Sequence, residues 1–427
     1  MQAARTQRGW IIVALVFLFM LINYADKAVI GLSAVPIMHE LNLTNVQFGA
    51  LGSAFFLLFS LSGVLTGFVA NQIDSKPLLL ILALIWAVAQ APMAGTVSFT
   101  TLIAARIVLG AGEGPAFPLA LHAVYKWFDN TRRTVPTSIV ACGAAFGAGI
   151  VAPVITAIIV HFGWHAAFAT LSVASLLWAL AWWLFGAEGR VDLAVDPGAA
   201  ALCRPYAQLL LSRTALGVFI GGFVAYWAIT LNVVWLAASL VKGAGYTPTE
   251  AGWIIVLPSF AQIVLAPSLG AWSERLVRNG VASRIARGIM GGCCLLTAGV
   301  AMALFPLTSL AIVKIPLVVL AFATGSVFFT LGSTLIAEIS PPAQRGAMLG
   351  ITNSIHALAG IAAPVSMGAI VDIATDPVAG FRTGFLIAGA FVAAGGVIAM
   401  ALVQPEADLA AWNREPRQSS PLRSSTR

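Results

Sequence analysis

Twelve apolar segments leave this chain of 427 residues only one class of fold. They lie at 10–37, 46–71, 77–96, 101–124, 134–161, 166–186, 214–240, 249–273, 285–306, 314–337, 347–371 and 381–403. Crossing a bilayer core takes about 20 helical residues, and each segment reaches that length. Backbone groups in lipid must bond within their own segment, so the chain is expected to be an all-α polytopic membrane protein. Only 9% of its residues are charged, against about 25% in soluble domains. The net charge of +7 points to membrane topology and not to nucleic acid. Eighteen of the 23 Lys and Arg residues fall in one alternating set of loops and tails. Three, Lys242, Lys314 and Arg382, fall in the other set, and Lys27 and Arg106 lie inside spans. This bias predicts cytoplasmic termini.

The stretch GAEGRVDLAVDPGAAALCRPYAQLLLSR divides the segments six and six. It sets an amino-terminal half at 1–186, a linker at 187–213 and a carboxy-terminal half at 214–403. A polar tail at 404–427 is expected to be disordered. AGIVAP at Ala148–Pro153 returns as AGIAAP at Ala359–Pro364, in the matching span of the second half. Such repeats mark transporters whose halves rock about a central site. The four cysteines lack metal-ligand spacing and read as thiols. No GxxxxGK[ST] loop is present, which argues against an ATP-driven pump. Neither a catalytic cluster nor a large extramembrane domain is visible, so the chain is not expected to be an enzyme or a sensor. No cofactor is expected.

The charged residues inside spans carry the functional signal. The first span contains NYADK, which puts Asp26 and Lys27 within one apolar helix. Glu113 and Arg106 stand in the fourth span. Intramembrane charges are rare and usually functional. Burial disfavours the charged form of a carboxyl group, and an acid wetted alternately from either face can carry a proton. Arg106 precedes Glu113 by seven residues, about 10.5 Å along a helix rising 1.5 Å per residue. Arg106 is therefore expected to pair with an acid on another span, Asp26. Lys27 is placed to attract an anionic substrate, with Tyr24 on nearly the same face as a hydrogen-bond donor. The glycines and prolines around Glu113 (GAGEGPAFP) are expected to allow close approach to the first span and to bend the helix.

NYADK, RIVLGAGEGPAFP, KWFDNTRRT and the stretch from Asn353 to AGIAAP together resemble the anion:cation symporters of the major facilitator superfamily. The resemblance covers nearly the whole chain and implies two pseudo-symmetric six-helix halves. It implies that Asp26 and Glu113 take up protons and that a span-eleven polar residue contacts substrate. Asn353 and His356 are the candidates for that contact. Four positions depart from the family. Lys27 stands where arginine is usual, and Phe59 where relatives carry tyrosine. His356-Ala357 occupies the usual asparagine site before LAG, and Asn71-Gln72 replaces the acid–base pair of the first loop. Fewer polar groups hint at a substrate less hydroxylated than a sugar acid. The resulting expectation is a monomeric proton-coupled symporter of a bacterial cytoplasmic membrane that imports a small organic acid. A proton-driven antiporter exporting amphipathic compounds is the alternative.

Overall fold

The computed structural model describes residues 2–69, 74–128, 134–189, 204–341 and 344–414. Every regular element among them is helical. Spans 1–4 are Gln7–Leu32, Asn45–Gly63, Ser75–Ala94 and Phe99–Val124. Spans 6 and 7 are Trp164–Phe185 and Arg213–Leu236, and spans 8–11 are Pro248–Arg278, Arg284–Leu307, Ala311–Ile339 and Ala347–Ile373. Span 12 is the helix Pro377–Leu402. Span 5 is composite: Thr134–Ala145, a widened turn at Phe146–Ile150, then Ala152–Phe162. The widening falls on AGIVAP, where Pro153 has no N–H to give the helix ladder.

The polar tail departs from expectation at its start. Pro405–Arg414 is a helix, because its polar text finds partners. The Asp408 carboxylate accepts the Thr214 N–H at 2.9 Å, and the buried Trp412 ring lies 5.2 Å from the Arg204 guanidinium. Residues 415–427, Asn71-Gln72 and linker residues 190–203 lie outside the described residues.

With twelve spans, both termini leave from one end of the bundle. At the opposite end the two halves touch backbone to backbone. The sequence echo explains the symmetry of this contact. Gly149 of span 5 packs on Ser259 of span 8, and Gly360 of span 11 packs on the Phe56 ring of span 2. Each half thus presents its AGI segment to the matching helix of the other. A Cβ on Gly49 would collide with the Pro364 carbonyl, one on Gly368 with the Asn45 carbonyl, and one on Gly31 with the Val233 carbonyl. Small residues permit such crossings in a membrane. Asp372 completes the contact. It accepts the Asn45 N–H at 2.9 Å, Asn45 Nδ2 at 2.7 Å and the Val46 N–H at 2.7 Å. Its carboxylate thereby satisfies the first free amides of span 2 and complements the positive end of that helix. Nearer the termini the contact thins to Ser60 Oγ donating to the Ser354 carbonyl at 3.4 Å. There Asn353 is exposed, and a Cβ on Gly350 would meet nothing within 4 Å.

Gly368→Leu is expected to hold the far end open. Overpacking costs about 1–3 kcal/mol, which shifts a two-state equilibrium by about 5–150-fold. Thiol labelling of A363C, whose parent Ala363 is fully buried beside the crossing, in a cysteine-free background should rise accordingly in the variant. Unchanged labelling would show that the crossing does not gate this end.

At the end bearing the termini, Glu188 ties three spans of the first half. It takes hydrogen bonds from Ser75 Oγ at 2.8 Å and the Lys76 N–H at 3.1 Å, and pairs with Lys126. Burial pushes the Glu188 carboxyl up, but the bonds from Lys126 and Ser75 outweigh it and hold the group below its ordinary value of 4.5. The folded chain therefore binds fewer protons here than the unfolded chain. The stabilisation is complete above pH 4.5 and is lost as the pH falls through the lower folded value. Glu188→Gln should lower the melting temperature at neutral pH, and the gap from wild type should close in acid. A gap independent of pH would assign Glu188 a packing role only.

Candidate functional site

Span 1 runs unbroken through NYADK within the helix Gln2–Leu32. Successive helical residues project about 100° apart, so Asp26 and Lys27 meet different neighbours. Lys27 reaches span 4, where its Nζ lies 2.7 Å from Glu113 Oε2. The side chains of this ion pair are 12% and 0% exposed. Lys27 Nζ also donates to Asn23 Oδ1, one helical turn earlier. Its ammonium stands 4.4 Å from the centre of the Tyr24 ring, 5.6 Å from Phe59 and 5.9 Å from Phe55. Aromatic faces attract a cation at such distances. The ammonium thus has one carboxylate partner, one amide partner and a wall of rings.

Glu113 is positioned by the break that follows it. The helix Phe99–Glu113 ends there, Gly114 and Pro115 form a turn, and Ala116–Tyr125 resumes the span. Gly and Pro interrupt the helix here, but the close approach is to span 2. A Cβ on Gly110 would strike the Phe55 carbonyl, and one on Gly114 the Phe59 carbonyl. Spans 2 and 4 therefore touch through their backbones, and span 1 meets Glu113 through the long Lys27 side chain.

The expected ion pair between Asp26 and Arg106 is not formed. Asp26 is fully buried and makes no ion pair among the described residues. Its carboxylate faces the Gln90 amide of span 3, which hydrogen-bonds to it, and the charges of Glu113, Lys27 and Arg106 lie nearby. Arg106 is 3% exposed. Its Nε donates to the Leu51 carbonyl at 3.5 Å, and its guanidinium covers the Phe55 ring at 4.6 Å. The physical reason is reach. The short Asp26 side chain stays in the layer between spans 1 and 3, while Phe55 and the span 2 backbone take the guanidinium.

The other expected contacts are dispersed. Phe59 is half-buried and packs on Phe55 and Phe56 at 5.5 and 5.8 Å. Asn353 is exposed on span 11. His356 is buried, its Nε2 is 3.1 Å from the Val218 carbonyl of span 7, and its ring abuts Gly222. The fold therefore brings Lys27, Tyr24, Phe59 and Glu113 together, with Asp26 and Arg106 in an adjoining buried layer. His356 is held by span 7. Sequence reasoning missed Gln90 and Asn23. Gln90 interrupts the apolar text LILALIWAVAQAPM, and the rarity of amides in such text was the available signal.

A family model described as Major Facilitator Superfamily matches residues 16–217 and 218–426. The chain belongs to that superfamily. It is 28% identical over 421 residues to a probable sulfoacetate transporter of Cupriavidus necator, covering 93% of this chain and 94% of the relative. It is 25% identical to a probable galactarate/D-glucarate transporter of Bacillus subtilis, covering 98% and 97%. Relatives of this kind are of the anion:cation symporter type within the facilitators, as the sequence motifs implied. In fold, this facilitator is similar to a bacterial homolog of the human lysosomal transporter Spinster, in an inward-facing and unoccupied conformation. The TM-score is 0.76 at 17% identity, covering 94% and 98% of the two chains. A D-xylose–proton symporter aligns with a TM-score of 0.75 at 17% identity, covering 93% and 98%. The chain is a multi-pass membrane transporter and not an enzyme.

Proposed function

We propose that this facilitator is a proton-coupled symporter importing a small organic carboxylate across a bacterial cytoplasmic membrane. It works as a monomer with cytoplasmic termini, and the proton gradient is its energy source. On that orientation the end closed by the glycine crossings faces outward. One observation carries the reading: the Lys27–Glu113 ion pair at 2.7 Å. Two carboxylates, Glu113 and the substrate, compete for a single ammonium. A proton entering from outside neutralises Glu113 and hands Lys27 to the substrate anion. Neither partner alone can occupy the site well, because an unpaired buried charge is costly. The carrier then closes outside, opens inside and loses its proton. Glu113 takes Lys27 back and the substrate leaves. Asp26, buried beside Gln90, is the second proton acceptor, and Arg106 supplies positive potential behind Phe55.

The test is uptake into proteoliposomes with an acid exterior, using a panel of radiolabelled carboxylates. Accumulation above equilibrium, collapsed by a protonophore, is expected for at least one. Transport insensitive to the pH step, or efflux driven by it, would overturn the symport reading.

A further inference from the structure

The surroundings of the Lys27 ammonium describe a substrate narrower than "organic carboxylate". Its immediate neighbours are the rings of Tyr24, Phe59 and Phe55. Beyond these the aromatic wall continues across the interface between halves. Phe56 stands 5.8 Å from Phe59 and 5.8 Å from Tyr226 of span 7, and Tyr226 stands 6.2 Å from Phe329 of span 10. Phe56 is fixed in this wall by its contact with Gly360.

Hydrogen-bonding groups nearby are mostly engaged within the chain. Thr230 Oγ1 donates to the Tyr226 carbonyl at 2.9 Å, Ser62 Oγ to the Phe59 carbonyl at 3.1 Å and Ser60 Oγ to the Ser354 carbonyl at 3.4 Å. The His356 Nε2 is taken by Val218. Among the described residues, Asn23, Asn232 and Asn353 keep an unpaired buried amide atom or an exposed side chain, and the Gln90 amide serves Asp26. Of these only Asn23, with the Tyr24 phenol, stands at the ammonium. That is too few for a polyol, in which each hydroxyl brings a donor and acceptors that must be stripped of water. The charge count narrows the head group as well. Arg106 is buried against Phe55 and Leu51, so Lys27 is the cation presented among the rings.

We infer that the transported anion is a monocarboxylate with an aromatic or otherwise unhydroxylated hydrocarbon body. Its head pairs with Lys27 and its body lies against Tyr24 and Phe59. The inference rests on the proposed symport of a carboxylate and adds the substrate class. It sets this chain apart from its Bacillus subtilis relative, named for galactarate and D-glucarate, which are polyhydroxylated dicarboxylates.

The experiment measures equilibrium binding to the purified full-length protein by displacement and by ligand-induced thermal shift. The probes are benzoate, phenylacetate, isovalerate, D-galactonate and galactarate. An apolar site rejects a single added hydroxyl by about a hundredfold at most. The best unhydroxylated monocarboxylate should therefore bind at least about tenfold tighter than galactonate, with galactarate weaker still. Phe59→Asn, which adds an amide to the wall, should narrow that ratio by strengthening galactonate. Galactonate or galactarate binding as tightly as the best unhydroxylated acid would overturn the substrate class and leave carboxylate symport standing. Binding of none of the five by a cooperatively melting protein would overturn both.

Discussion

Replacing Glu113 by glutamine is expected to abolish accumulation against a gradient while substrate exchange partly survives. Glutamine resembles the protonated acid, so Lys27 stays available to the anion in every state of the cycle. The variant can bind and exchange substrate, but Lys27 is no longer traded between a proton-gated acid and the anion, so a proton at Asp26 does not gate binding. One pH unit is worth about 1.4 kcal/mol per proton, so a one-unit step should drive about tenfold accumulation for each proton the wild type carries. The Glu113→Gln carrier should reach only the equilibrium level under the same step. Counterflow of labelled substrate against unlabelled substrate should still be measurable. Full accumulation by the variant would remove Glu113 from the coupling mechanism.

Lys27→Ala is expected to remove substrate binding and to destabilise the fold together. It leaves the Glu113 carboxylate, which is 0% exposed in its side chain, without its partner. Breaking a buried pair in this way costs about 3–5 kcal/mol. Adding Glu113→Gln to Lys27→Ala should restore much of the thermal stability, since no orphaned charge remains, but none of the binding. Lys27→Arg should retain part of both, because the charge survives although its fork geometry differs from a point ammonium. A binding isotherm and a melting curve on the wild type and these three variants separate the two effects. Affinity unchanged in Lys27→Ala would make the cation purely structural.

The spans were legible because lipid admits few backbone solutions, and apolar runs of sufficient length read directly as helices. The echo behind the symmetric crossing was legible, though the crossing itself was not. AGIVAP and AGIAAP were visible as an echo, and in the fold Gly149 and Gly360 occupy matching contacts between halves. Asp26, Lys27, Arg106 and Glu113 stood out as charges in apolar text. Their pairing did not. One residue along a helix turns a side chain by about 100°, so which acid meets which base depends on the packing of spans 1, 2 and 4. The backbone contacts of Gly110 and Gly114 with span 2 decided it for Glu113 and Lys27. Gln90 was hidden for a related reason: an amide in a span signals a partner without naming it. The helix Pro405–Arg414 was illegible because its stability comes from Thr214 and Arg204, nearly two hundred residues upstream.

The central claim is that Glu113 and the substrate compete for Lys27, and proton uptake on binding tests it most directly. Purified protein in weak buffer, above the pH at which Glu113 ionises, is mixed with saturating substrate while released or absorbed protons are titrated. Linkage requires that an anion displacing Glu113 from Lys27 raise the proton occupancy of Glu113. The wild type should absorb about one proton more per bound substrate than Glu113→Gln under the same conditions. Equal uptake by the two proteins would contradict the competition, and Lys27 would then hold substrate and Glu113 independently.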